Sequence, residues 1–165
     1  MKKEVFVFEA LSTNLAELEA MHQSDFLNPF EVAALTVVAL ANYKNDREAT
    51  HAMLDYLRGP KPLSNYEKQF LRDRLVDKYY KPFSYFKGAV VDNNYQPDQP
   101  YTIEVFETVK SYENDGYLRL NVKSSGADTP REIVLRLKSS TKQWFLWEEF
   151  LLADIRIPSS ENPWY

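Results

Sequence analysis

The chain has 165 residues, 44% apolar and 27% charged, with a formal net charge of −4, a composition that suits one ordinary globular domain. It contains no cysteine, which excludes disulfides, thiolate metal sites and cysteine nucleophiles. The acidic excess lies entirely after residue 90, since twelve basic and twelve acidic side chains precede it and eight and twelve follow; general nucleic-acid binding, which needs concentrated basic surface, is not expected.

At the start, the apolar run Val5 to Phe8 is short and bracketed by Glu4 and Glu9, unlike the long uncharged core of a signal peptide. The longest apolar stretch, Val32 to Ala41, is too short to cross a bilayer. A cytoplasmic protein without membrane contact is the expectation. Asn14 with Glu17 predicts a short helix over Leu15 to Met21. Asn28-Pro29-Phe30-Glu31 is a stronger start, with a capping side chain, a proline at the first helical position and a carboxylate at the third. The helix it opens, Pro29 to Tyr43, has no polar face and must be enclosed by protein.

Asp46 caps a third predicted helix over Arg47 to Arg58, ended by Gly59-Pro60. Ser64 and Glu67 form a capping box for a fourth, to about Val76, with Tyr66, Phe70, Leu71 and Leu75 as its apolar stripe. Residues 78–100 then read as an ordered aromatic connector, with one candidate strand near Tyr85 to Val91.

Four strands follow by period-two alternation. They start at Tyr101, Leu118 and Glu132, with the fourth over Gln143 to Glu148. Asn114-Asp115-Gly116 and Ser139-Ser140-Thr141 supply turns. Four helices before any firm strand point away from a βαβ alternation. The fold class is therefore α+β, four N-terminal helices packed on a C-terminal antiparallel sheet of about four to five strands. All of it forms a single domain over 1–165: a helical half over about 1–77, the connector 78–100, and the sheet 101–165.

The segments PFEVAALTVVALANY, FLRDRL, PFSYF, VKSSGAD, WFLWE and LLADIRIP, followed by Pro163-Trp164, together resemble a family of small uncharacterised bacterial proteins known mainly from Gram-positive anaerobes. The resemblance runs from Phe8 to Trp164, and Val122 to Asp128 is its most specific part. Members commonly end in an acidic residue before Pro-Trp, where this chain has Asn162. The resemblance implies a one-domain fold and carries no activity, substrate or catalytic residue.

Several constellations invite a functional reading. Ser124-Ser125-Gly126-Ala127-Asp128 reads either as a ligand turn or as local turn chemistry, with Gly126 supplying an unusual backbone angle; the latter is favoured. His22 and His51 lack partners at zinc or triad spacing and are read as surface or satisfied side chains, with Glu48 a possible ion-pair partner of His51. Glu148 and Glu149 are adjacent on a strand and point to opposite faces, so they do not make a catalytic couple.

Arg119, Lys123, Arg136 and Lys138 alternate onto one face of two strands. They make either a basic patch for an acidic or phosphate-bearing partner, or a solvated face paired with Glu104 or Glu132. Tyr85, Tyr95 and Tyr101 of the connector either line a partner surface or fill the seam between helices and sheet. These seven residues form the candidate ligand or partner surface. No catalytic residue, metal or cofactor is expected. The function is read as a non-catalytic cytosolic binding module for an unknown protein or small-molecule partner, monomeric or a homodimer built on a sheet edge or face. The alternative is a small-molecule binder or enzyme with a pocket between helices and sheet.

Overall fold

The chain opens with a strand where no strand is expected. In a computed structural model that describes residues 1–165, Lys3–Phe8 forms β1. Glu4, Phe6 and Phe8 are half-buried, while Lys3, Val5 and Val7 are exposed. Its partner is distant in sequence: β1 pairs antiparallel with β2 (Tyr101–Glu107), from Lys3↔Phe106 to Phe8↔Tyr101. No nearby turn announces the pairing, which is why alternation over so few residues is hard to read.

The helices lie where the caps place them: α1 (Leu15–Met21), α2 (Pro29–Ala41), α3 (Arg47–Arg58) and α4 (Asn65–Leu75). The Asn14, Asn28, Asp46 and Ser64 side chains each accept a first-turn backbone N–H, a contact that contributes about 1 kcal/mol per helix. Every residue of α2 from Phe30 to Ala41 is buried, so the helix without a polar face is the centre of the molecule. Its one hydroxyl, on Thr36, donates to Val32 O at 2.9 Å, leaving no polar side-chain atom there unmatched. In α4 only Leu71 and Leu75 are buried; Tyr66 and Phe70 are exposed, because α4 lies outermost and only part of its stripe reaches the core.

After β2 come β3 (Tyr117–Val122), β4 (Arg131–Lys138) and β5 (Gln143–Glu149). The sheet is an antiparallel meander in the order β1-β2-β3-β4-β5. Its inner face, with Ile103, Val105, Leu118, Leu120, Ile133 and Leu135, joins α2 in one apolar cluster. β2 and β3 share only Phe106↔Asn121 and Glu107↔Leu120 before they splay. The predicted strand at 85–91 does not form. Residues Lys81–Tyr85 make a 3-10 turn, Gly88 turns the chain at φ +85°, and Lys87 N–H reaches Thr102 O.

Residues 150–156 form no helix or strand, and side chains satisfy their backbone instead. Lys81 Nζ donates to Leu152 O at 2.8 Å, Tyr85 Oη to Leu151 O at 2.5 Å, and Tyr95 Oη to Arg156 O at 2.6 Å. Arg131 holds Ala153 O. Irregular backbone inside a protein requires such partners. No helix is long and apolar enough to cross a membrane.

Candidate ligand site on the outer sheet face

The site begins with an irregularity between β4 and β5. Leu135 pairs with Leu146 and Val134 with Glu148, so Trp147 is the extra residue of a bulge. Bulges bend a strand and re-aim its side chains. Here the indole meets two cations: Arg136 Cζ lies 4.4 Å and Lys61 Nζ 4.5 Å from the ring centroid. Arg136 also lies 5.5 Å from the Tyr117 ring. Contacts of this type, here between exposed cations and a half-buried ring, hold a cation over the ring while leaving its N–H groups free for other partners.

Lys61 comes from the turn between α3 and α4, which closes over β5. Gly59 in this turn has φ +61° and lies against the Phe145 ring; a Cβ there would overlap it. Arg58, buried, donates to Trp147 O at 3.3 Å and to Glu67 at 2.8 Å. Burial pushes the Glu67 carboxyl up, but hydrogen bonds with Ser64 and the Arg58 and Lys61 charges outweigh it and hold the pKa below the usual value.

Together Arg58, Lys61, Arg136, Lys138, Phe145 and Trp147 line a surface hollow of about 420 Å3 with no carboxylate in its wall. On the other side of Trp147 lies a hollow of about 580 Å3 whose walls include Glu113, Asp115 and Glu148. One indole thus separates a basic hollow from a mainly acidic one.

The expected basic face is divided accordingly. Arg136 and Lys138 enter the basic hollow. Arg119 lines the acidic one and pairs with Glu132 at 3.1 Å. Lys123 lies beyond the end of β3, in a cleft of about 720 Å3 opened by the splay of β2 and β3, with Glu104 and Lys87 in the same wall. Tyr85 and Tyr95 are buried with their hydroxyls on the 150–156 backbone, so they fill the seam and present no surface. Tyr101 is half-buried, with its ring 6.0 Å from that of Phe86.

The serine turn is structural in a way that its sequence only half conveys. Ser124 Oγ donates to Ser84 Oγ at 2.6 Å and accepts Gly126 N–H at 3.0 Å. Gly126 has no positive φ. It is required because a Cβ there would overlap Tyr95 Oη.

Burial raises the Tyr85 and Tyr95 pKa values, Tyr95 to about 12, and lowers that of Lys81. Glu149 ends β5 on the side opposite Glu148, paired in register with core residue Ile133. It has no cation within ion-pair distance, and desolvation pushes its pKa up to about 8. These four groups bond the backbone of residues 151–156, and none lines the hollow beside Trp147.

His22 is fully engaged. Its Nε2 accepts Phe26 N–H at 2.9 Å and its Nδ1 lies 2.6 Å from Tyr56 Oη. His51 is buried with Nδ1 3.9 Å from Glu48, too far for a hydrogen bond, and burial lowers its pKa. Sequence reasoning missed Lys61, a loop lysine that no periodicity marks, and missed the role of Trp147, which depends on the bulge.

No curated protein and no solved structure matches the chain. Residues 10–159 match the family described as Domain of unknown function (DUF6935), and the chain belongs to that family.

Proposed function

We propose that the protein is a non-catalytic binding module whose ligand is a compact phosphate-bearing anion, seated in the basic hollow beside Trp147. The observation that carries this reading is the cluster of Lys61, Arg136 and Lys138, in a wall without a carboxylate, around an indole already in contact with two of them. Arginine offers paired donors to phosphate oxygens and lysine a point charge. The indole adds a flat apolar wall. Net charge −4 and the acidic hollow beyond Trp147 disfavour a long polyanion, whose next phosphates would meet Glu113, Asp115 and Glu148.

The test is calorimetric titration with pyrophosphate and inositol hexakisphosphate at low and moderate salt. Binding is expected to weaken with salt, as solvent-exposed charges are screened beyond about 8 Å at physiological ionic strength. Arg136→Glu should reduce affinity about tenfold or more, because it puts a negative charge where the phosphate sits. The absence of heat at millimolar ligand, or an unchanged affinity in Arg136→Glu, would overturn the proposal.

A further inference from the structure

The β1 edge of the sheet has an unmet hydrogen-bonding register. Glu107 N–H donates to Lys2 O at 3.0 Å, which sets the alternation of the β1–β2 ladder. Lys2, Glu4, Phe6 and Phe8 therefore direct their backbone groups to β2, while Lys3, Val5 and Val7 direct theirs outward. The same alternation puts Thr102 O on the far side of β2, where it accepts Lys87 N–H at 2.8 Å, in agreement with this phase. Val5 and Val7 are 55% and 56% exposed. No proline or bulge interrupts β1, two of the devices that blunt an edge; the charges it carries are Lys3 on the exposed face and Glu4 on the inner one. Beneath it runs a groove of about 710 Å3 between β1 and Met21, Gln23 and Ser24.

We infer that this edge pairs with the β1 edge of a second copy, antiparallel about a two-fold axis through Phe6. Only odd-numbered residues have outward backbone groups, so odd opposes odd and the axis falls on a residue of β1; the overlap is longest, five residues of each strand, with the axis at Val5 or Phe6. With the axis at Val5, Lys3 opposes Val7; with the axis at Val7, Val5 opposes Glu9. With the axis at Phe6, Val5 opposes the partner's Val7 at both central positions, and Lys3 at each end faces Glu9 of the partner subunit, the residue just past β1 where the chain bends.

Of these registers, only that one brings opposite charges together and joins four exposed valines into one stripe on the outer face. Directly opposed side chains on a sheet lie close enough for both effects to count. The result is a continuous ten-stranded sheet. The groove under β1 leaves room for the inward side chains of the approaching strand. An interface along one edge falls at the small end of stable interfaces, which bury about 1,200–2,000 Å2, so the dimer is expected to be concentration-dependent.

Sedimentation velocity on the untagged chain over a broad concentration range tests this. The wild type should dimerise. Lys3→Glu and Glu9→Lys each set like charges opposite one another twice, and each should weaken the dimer roughly three- to tenfold. The double variant Lys3→Glu/Glu9→Lys should restore it, and an equimolar mixture of the two single variants should form heterodimers. Both side chains are exposed, so melts of the dilute variants should match the wild type. Val5→Pro, which removes an outward N–H, should give a monomer. A wild type that stays monomeric throughout, as it would if the edge instead serves an extended peptide, overturns the proposal. A dimer indifferent to the charge exchange does the same.

Discussion

At the β5 edge of the sheet, Trp144 N–H donates to Phe26 O at 2.8 Å and the Gln143 side chain donates to Asp25 O at 3.1 Å. At the β1 edge, Lys3, Val5 and Val7 offer the same backbone groups to nothing in their own chain. The first edge is covered at a cost. Asp25 and Phe26 hold φ of 52° and 65°, values that a side chain with a Cβ adopts only with strain of order 1 kcal/mol or more each. His22 stabilises that turn by taking the Phe26 N–H, and the Phe26 ring packs 4.6 Å from that of Phe145. The contrast teaches that the fold closes one edge with strained, specific contacts and leaves the other in standard geometry, ready for a strand.

Substitutions at the two edges should therefore differ sharply. The largest effect is expected for Gly59→Val, on the turn that covers β5. The φ of +61° with ψ of −116° excludes a β-branched residue, and the new side chain would collide with Phe145. A loss of about 3 kcal/mol or more in urea unfolding is expected; a loss under about 1 kcal/mol would show that the turn relaxes freely.

Next comes Glu149, at the end of the same strand. Its folded pKa of about 8 lies above the ordinary 4.5, so the folded chain holds a proton that the unfolded chain releases. Stability from this group is fully present below about pH 4.5 and is lost as pH rises towards 8. Allowing for its partial exposure, the loss is on the order of 2–3 kcal/mol. Glu149→Gln should remove that slope, so the two melting curves diverge between pH 5 and 9 in favour of the variant. Parallel profiles would place the carboxylate in water.

The smallest effect on folding is expected at the open edge. Val5→Pro removes an N–H that β2 does not use, and proline is tolerated at edge positions. Monomer stability should change by about 1 kcal/mol or less, measured at a concentration where no dimer forms. A larger loss would mean that Val5 N–H has a partner within its own chain.

The helices were legible because their ends are written in single side chains: Asn28, Asp46 and Ser64 cap where they stand, and Gly59 ends α3. The four later strands follow from alternation over Ile103 and Val105, Leu118 and Leu120, and Ile133 and Leu135. β1 was not legible, because its evidence is a partner in the second half of the chain. The candidate surface was half legible. Alternation correctly turned Arg136 and Lys138 outward, but it gave no sign of the bulge that presents Trp147 to them. It also gave no sign of the loop that brings Lys61. Tyr85 and Tyr95 carry the same composition whether they line a surface or a seam. Only the carbonyls of Leu151 and Arg156 decide between them.

The distance between β1 and β2 along the chain also bears on assembly. Lys2 meets Glu107 across 105 positions, and a strand that pairs so far from itself raises contact order and slows folding. During synthesis at about 5–20 residues per second, β1 would wait roughly 5–20 s for β2 to be made. The buried helix α2 waits as well, since β2–β5, which pack on it, are all made later. β1 is thus without its partner strand until Glu107 has been made, and Val5 to Phe8 stay unpaired until then.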